Sequence, residues 1–525
     1  MPASSAKNTD LVRIDLVPRG CVLEVERGVQ LKEVLLDEGV EFPCGGKGRC
    51  SRCRIRVLKG NLPITPLDAQ IFSTAELHAG WRLGCQAHAS TDLTIELAQW
   101  EPQILSDDAR FEFNPEDGLG VAVDLGTTTI VGQLLDLRTG NVLAVRSALN
   151  QQARYGADIM SRIEHAKTPA GLAALSTLIR KQIGQLVAEL AVTALLPDTG
   201  NASPGTCHLL RRVVIVGNTA MHHLFCHIDV DPLSHYPFEP ADAGLKCFTA
   251  QQLGWAVPGD PTVMFMPCVA GFVGSDTLAG VMATGLHKSE QLAGLIDLGT
   301  NGEIVIGKKG RLLCTSTAAG PAFEGAKISM GMLAATGAIA AVSAVNNRFH
   351  CTVLGGVTPR GICGSGLVDA VAAALDLGLV DSSGRLRGSN QLQLDGPVFL
   401  TQKDIREVQL AKAAIAAGFR LLLERWGVSG PELERVWLAG AFGNYINRIS
   451  ARRIGLIPFP VDKVLPAGNT ALRGAKHFLL NWSRELENLM ALKQQIEHIC
   501  LNEEPRFHEV FVGEMSFPPT EAFTS

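Results

Sequence analysis

Val121-Ala122-Val123-Asp124-Leu125-Gly126-Thr127-Thr128-Thr129 is written a second time in this chain, as Gly294-Leu295-Ile296-Asp297-Leu298-Gly299-Thr300-Asn301. Each copy is an apolar run ending in Asp-Leu-Gly-Thr. A second apolar run follows, Ile130 to Leu137 or Glu303 to Ile306, and then a turn at Arg138-Thr139-Gly140 or Lys308-Lys309-Gly310. Apolar runs separated by tight glycine turns predict a β-meander. Two copies predict a duplicated lobe.

The residue types of the repeat suit a nucleotide. Gly126 and Gly299 let the backbone approach an anion closely, and the amides that follow, with Thr127, Thr128, Thr300 and Asn301, can donate to phosphate oxygens. Asp124 and Asp297, at strand ends, can hold hydrated Mg²⁺, which keeps several waters and takes few carboxylates. A single Asp-Leu-Gly-Thr is as readily an ordinary β-turn. The pair is what carries the reading, because two facing hairpins can grip a triphosphate from both sides.

The chain has 525 residues, enough for two to four domains. Hydrophobic residues make up 46% and charged residues 19%, the balance of a globular protein. A formal charge of −5 gives no basic surplus, so nucleic acid is not an expected partner. Met1 to Asp10 is polar with no secretory leader pattern, and the longest apolar stretch, Leu367 to Val380, is interrupted by Asp369 and Asp376. It is too short to span a bilayer, so no membrane role is expected. Thirteen cysteines in such a chain point to a reducing compartment, hence a cytoplasmic location.

Cysteines organise the first hundred residues. Cys44, Cys50, Cys53 and Cys85 follow the spacing C-x5-C-x2-C-x31-C, the first three on the glycine-rich loop Cys44-Gly45-Gly46-Lys47-Gly48-Arg49-Cys50. Glycines let such a loop wrap and turn amide N–H groups toward sulfur, which stabilises thiolates. Structural zinc and unligated thiols are the alternatives, but zinc ribbons carry two C-x2-C pairs and this chain has one. Two strands, Leu11 to Leu16 and Cys21 to Val25, a short helix, and strands at Arg54 to Leu58 and Leu93 to Leu97 frame the loop. The arrangement resembles the β-grasp [2Fe–2S] ferredoxins, with one loop residue more than the plant-type spacing. Lys47, Arg49, Arg52, Arg54 and Arg56 form either a positive rim for an acidic partner or a solvated face.

Periodicity is lost between Trp100 and Gly118, which marks a linker. Beyond it, Arg212 to Val216 is an apolar strand that turns into a helix at Gly217, and His222 and His223 on that helix lack zinc spacing. Arg435 to Ala439 repeats the step in the second half and delivers Gly440 and Gly443, expected to leave room for a purine and ribose. Trp482 to Ile499 is predicted as a helix with a stripe of Leu486, Leu489, Met490 and Leu492 packing on the second lobe, and His508 to Val512 as an extended run.

The order of hairpin, hairpin and Leu438-Ala439-Gly440-Ala441-Phe442-Gly443 resembles the ATPase superfamily of acetate and sugar kinases, heat-shock ATPases and actin. A [2Fe–2S] domain ahead of that body resembles the reductive activators of corrinoid proteins. Gly217-Asn218-Thr219-Ala220, Gly271 to Asp276, Ala319 to Ala326, Gly361 to Gly366 and Gly468-Asn469-Thr470-Ala471 fit that family as well. Some members carry a further domain where this chain has only the linker.

The resemblance implies an α+β and α/β multidomain chain. It would hold a [2Fe–2S] β-grasp domain over 1–99, a linker over 100–118, and actin-like (ribonuclease H-like) lobes over 119–290 and 291–525. It implies a [2Fe–2S] cluster on Cys44, Cys50, Cys53 and Cys85, and ATP with Mg²⁺ at Asp124, Asp297 and the two hairpins. The activity implied is ATP-driven transfer of one electron to cobalt(II) of a corrinoid protein in a methyltransferase system. An upstream electron donor or reductase would feed the cluster, and a homodimer is compatible with the reading. A serine facing cobalt is implied too, for which Ser316 is the first candidate and Ser365 the second. The competing readings are an iron–sulfur electron-transfer or sensor protein that binds nucleotide without hydrolysing it, and a small-molecule kinase with a regulatory cluster.

Overall fold

Val12, Ile14 and Leu16 alternate with more exposed neighbours and form the buried face of β1 (Leu11–Val17). This strand pairs antiparallel with β2 (Cys21–Glu26) and parallel with β5 (Leu93–Leu97). With β3 (Arg54–Lys59) and β4 (Trp81–Leu83) they make a five-stranded sheet of order β2-β1-β5-β3-β4. Helix α1 (Leu31–Asp37) contributes buried Leu31 and Leu35. Two short helices, α2 (Pro66–Ile71) and α3 (Thr74–His78), each start in a capping box, Thr65 with Asp68 and Ser73 with Glu76. This is the β-grasp arrangement expected from the sequence.

The computed structural model describes residues 10–17, 21–38, 40, 42, 46, 48, 53–97, 111–156, 158–193 and 209–519. Two compact units emerge, one of residues 1–102 with 151–158, the other of residues 103–150 with 159–525.

Both meanders form in the larger unit. The first is β6 (Leu119–Leu125), β7 (Thr129–Asp136) and β8 (Val142–Leu149). With β9 (Leu210–Gly217), β10 (Lys246–Thr249) and β11 (Thr262–Phe265) it gives the order β10-β11-β9-β6-β7-β8. The second is β12 (Ala293–Leu298), β13 (Gly302–Lys308) and β14 (Arg311–Thr317). Two small sheets branch from the second lobe: β15 (Ala338–Val345), β16 (Arg348–Val353) and β17 (Gly361–Ile362), and the hairpin of β18 (Gln391–Asp395) and β19 (Val398–Thr401). The main second sheet is completed by β20 (Arg435–Ala439), β21 (Val464–Gly468) and β22 (Ile496–His498), in the order β21-β20-β12-β13-β14-β22. In each sheet the first meander strand sits beside a parallel strand that enters a helix, so the duplication extends beyond the hairpins.

Near-continuous apolar strands need cover on both faces. Val121, Val123 and Leu125 of β6 face a core shared with α4 (Ile159–Ala166), α5 (Pro169–Thr193) and α6 (Thr219–Cys226). Ala122 points the other way, into a core that also takes Leu295, Val305 and Cys314 from the second sheet. Between the sheets lie α7 (Ser275–Thr284) and, further along the chain, the helix Thr470–Leu480. The outer face of the second sheet is covered by α8 (Gly364–Asp376) and α9 (Gln402–Trp426). The remaining helices are α10 (Gly440–Tyr445), α11 (Arg448–Arg453), α12 (that Thr470–Leu480 helix), α13 (Trp482–Gln494) and α14 (Phe507–Gly513).

Helices α7 and α12 cross closely because Gly474 lacks a side chain. A Cβ there would lie 2.1 Å from the Ala279 carbonyl oxygen, and no rotamer relieves a backbone clash. Among the described residues no helix is long and apolar enough to cross a membrane.

The carboxyl-terminal expectations need correction. The helix from Trp482 stops at Gln494, and Ile496–His498 continues as a strand parallel to β14. Leu489 and Leu492 are buried in the core between the sheets, whereas Leu486 and Met490 are 39% and 47% exposed. His508 to Val512 is helical, because Val510 packs on Ala417 and Leu421 of α9 with Phe507 and Phe511 beside it, a spacing of three and four.

Candidate functional site

Each hairpin turn is fixed by its neighbours. The Gly126 amide donates to the Thr129 carbonyl (3.0 Å), while Asn150 donates from its side chain to the Gly126 carbonyl (3.0 Å) and from its backbone to the Thr128 carbonyl (2.8 Å). In the second hairpin the Gly299 amide donates to the Asn301 carbonyl (3.0 Å). The two threonines are bonded differently. The Thr127 hydroxyl accepts from Asn218 Nδ2 (2.9 Å), which leaves its own proton for a phosphate oxygen. The Thr300 hydroxyl donates to Glu324 Oε1 (2.8 Å). Thr128 and Asn301 lie partly exposed in the same turns.

Asp124 and Asp297 end the first strands of the two sheets, and the structure brings them together with two carboxylates that sequence reading missed. Asp297 pairs across the sheet with Glu303, and Glu303 pairs with Ser316, so three strands align Asp297, Glu303 and Ser316 in a row. Asp276 joins from the first turn of α7, where its carboxylate accepts from the Thr277 amide (2.8 Å) and faces the positive end of the helix. Asn469, the N-cap of α12, accepts from the Leu472 amide (2.8 Å) and donates from Nδ2 to Asp124 Oδ2 (2.9 Å). Residues from both sheets and both central helices thus meet at one place.

All four carboxyl groups keep slight solvent contact, but the protein encloses them and that enclosure governs their ionisation. Burial pushes Asp124 up to about 7; the Asn469 hydrogen bond opposes the rise and the charge of Asp276 adds to it. Burial, then Asp276 and Asp124, raises Asp297 to about 7. Burial raises Asp276 to about 6 against its amide hydrogen bonds, and burial with Asp276 and Asp297 holds Glu303 well above the carboxylate range. Four hard oxygen donors that repel one another in this way fit Mg²⁺.

Ser316 lies within β14. Its hydroxyl donates to Glu303 Oε1 (3.3 Å). Ser365 is buried and donates to the Ala340 carbonyl (2.8 Å). Gly440 has φ of +86°, and a Cβ there would meet the Leu298 carbonyl oxygen at 2.6 Å and Asp297 Oδ1 at 2.7 Å. Only a glycine therefore fits against Asp297 and the end of β12 here. A Cβ on Gly443 would contact Leu438 at 3.1 Å, so this glycine lets α10 pack closely on β20. Phe442 of α10 stacks on Phe323, with centroids 4.8 Å apart and planes 5° from parallel.

Cys44 and Cys50 lie outside the described residues. Cys53 and Cys85 are both buried; Cys53 precedes β3 and Cys85 follows β4, and the pairing of these strands is extended by the Gly84 amide donating to the Cys53 carbonyl (2.8 Å). Gln30 Nε2 donates to the Cys85 carbonyl (2.8 Å). Gln86 Nε2 contacts the Cys85 sulfur at 3.4 Å and donates to the Gly46 carbonyl at 2.7 Å. Two buried cysteines, one with an amide donor on its sulfur, fit ligation of an iron–sulfur cluster.

A ferredoxin fold and a two-lobed nucleotide body in one chain define an iron–sulfur ATPase. Residues 14–90 match the 2Fe-2S iron-sulfur cluster binding domain, 119–289 the RACo middle region, and 291–525 the C-terminal domain of RACo, the ASKHA domain. The chain is 35% identical to the corrinoid activation enzyme RamQ of Eubacterium limosum, over 76% of this chain and 70% of that one. It is 26% identical to the [Co(II) methylated amine-specific corrinoid protein] reductase of Methanosarcina barkeri, over 76% and 77%. A solved structure titled reductive activator for corrinoid,iron-sulfur protein superposes with a TM-score of 0.68 at 27% identity, covering 98% of this chain and all of that one. This chain belongs to the family of reductive activators of corrinoid proteins.

Proposed function

We propose that this protein uses ATP to transfer one electron from its [2Fe–2S] cluster to cobalt(II) of a corrinoid protein, regenerating cobalt(I). The observation that carries the reading is the convergence of Asp124, Asp276, Asp297 and Glu303, from both sheets and a central helix, in a chain that also carries a 2Fe-2S domain.

Cys44, Cys50, Cys53 and Cys85 would hold the cluster, which supplies one-electron chemistry when bound. Asp124, Asp276, Asp297 and Glu303 would hold Mg²⁺, which neutralises phosphate charge. Thr127 offers its hydroxyl proton to a phosphate oxygen, and the amides around Gly126, Thr128, Gly299, Thr300 and Asn301 are the further donors. Thr300 joins once Glu324 releases it. Gly440 keeps the floor of the cleft open beside Asp297, and the nucleoside extends along α10. Ser316 orients Glu303; a cobalt-facing role for it requires that bond to break.

An electron driven uphill costs about 1.4 kcal/mol for each ~59 mV. Static docking cannot supply this repeatedly, whereas a hydrolytic cycle can, provided ATP and its products favour different arrangements of the two lobes. The test mixes reduced, cluster-loaded protein with a cobalt(II) corrinoid protein, with and without ATP. ATP-dependent appearance of the cobalt(I) absorption band supports the assignment. Phosphorylation of a small acid or sugar instead would replace it with a kinase.

A further inference from the structure

We propose that the side-chain amide of Gln86 sets the reduction potential of the cluster, by donating a hydrogen bond to the Cys85 sulfur. The inference rests on the cluster assignment above and goes beyond it, since Gln86 is outside the cysteine pattern.

One nitrogen makes both contacts: Gln86 Nε2 lies 2.7 Å from the Gly46 carbonyl oxygen and 3.4 Å from Cys85 Sγ. The short contact fixes the orientation of the amide, because the flipped form would press two oxygens together. With one N–H taken by Gly46, the second is left for sulfur. Packing holds the group in place. A Cβ on Gly48, where φ is +64°, would lie 3.3 Å from the Gln86 amide, so the loop closes directly over it. From the other side, Gln30 fixes the Cys85 backbone through its carbonyl (2.8 Å).

A donor on a ligand sulfur favours the more negative, reduced state, and hydrogen bonds to sulfur are among the factors that set iron–sulfur potentials. Removing the donor should therefore lower the midpoint potential. Bonds to charged groups are the stronger class, and a difference of one order of magnitude between redox states is the expected scale. At a fixed solution potential the ratio of reduced to oxidised cluster should fall about tenfold, equivalent to ~59 mV for one electron.

The experiment is an anaerobic redox titration of the full-length, cluster-loaded protein, followed by the electron paramagnetic resonance signal of the reduced cluster. Wild type, Gln86→Met and Gln86→Glu are compared. Gln86→Met keeps length without a donor and should show the tenfold loss; Gln86→Glu sets a carboxylate against sulfur and should show a larger one. Midpoints equal to wild type in loaded variants would overturn the proposal. So would loss of the cluster from both variants, which would make Gln86 a tie for the loop and nothing more. If wild type itself gave no [2Fe–2S] signal, the cluster assignment would be what failed.

Discussion

Asn469 Nδ2 donates to Asp124 Oδ2 at 2.9 Å, joining the N-cap of α12 to the end of β6 across 345 positions of sequence. The same side chain accepts from the Leu472 amide, so capping the helix and positioning the carboxylate are one act. Asn469→Ala should cost about 1 kcal/mol of stability through the lost cap and lower ATP hydrolysis at least tenfold. Asn469→Asp keeps a capping oxygen but sets a second carboxylate against Asp124. Denaturant midpoints and hydrolysis rates read together should show Asp restoring the first and not the second. Equal rates in all three proteins would remove Asn469 from the site.

Burial, with charge repulsion inside the acid cluster added to it, gives a pH dependence of definite sign. Asp124 and Asp297 are pushed up to about 7, so the native state holds protons that the unfolded chain releases near 4. Stability of the metal-free protein therefore loses a contribution as pH rises from about 4 to 7. Buried His222, pulled down to about 4 chiefly by burial, titrates in the opposite sense below neutrality, so the isolating measurement is a difference. Asp297→Asn should match wild type in stability at pH 4 and exceed it by roughly 2 kcal/mol at pH 8 without metal, less than a lone group would give because the protons are shared. Added Mg²⁺ should stabilise wild type at pH 8 far more than the variant. A pH-independent difference would contradict the clustered arrangement.

Gly440→Ala tests how the cleft floor is built. The new methyl would meet Asp297 Oδ1 and the Leu298 carbonyl oxygen while the backbone stays at positive φ. Destabilisation of about 1–3 kcal/mol is expected from the backbone conformation, with further loss from the clash, and ATP binding should fall with it. Calorimetric titration with a non-hydrolysable nucleotide measures the second effect. Unchanged affinity would place the nucleotide away from Gly440.

Why the sequence yields the twin hairpins but only half of the acid cluster follows from how each is encoded. Asp-Leu-Gly-Thr is local and repeated, so both meanders and the two-lobed body are legible. Glu303 is not part of the repeat: its counterpart opposite Asp124 is Val131, and the row of Asp297, Glu303 and Ser316 exists in the second lobe alone. Asp276 and Asn469 reach the site only through the crossing of α7 and α12, which no local pattern announces. Their signal was the glycine before each helix start, Gly274-Ser275-Asp276 and Gly468-Asn469-Thr470. A glycine in a strand-to-helix turn such as Gly443 serves ligand space and close packing alike, and only the structure displays its packing on Leu438. At His508 to Val512 the β-branched valines masked a helical stripe that the contact with α9 decides.

Separation of the two activities should be visible in single variants. Cys85→Ala removes a proposed cluster ligand from the smaller unit while the acid cluster remains. Visible absorption and cobalt reduction should be lost, with basal ATP hydrolysis within about threefold of wild type, an effect below ~0.7 kcal/mol in barrier. Asp297→Ala should give the reverse, an intact absorption spectrum with hydrolysis lowered at least a hundredfold, about 2.7 kcal/mol.

Stopped-flow absorption of the pre-reduced, cluster-loaded protein mixed with cobalt(II) corrinoid protein tests the coupling most directly. Cobalt(I) should form with ATP and Mg²⁺, and fail to form with ADP, or with ATP and the Asp297→Ala protein. Cobalt(I) formation at the same rate and extent without nucleotide would contradict it.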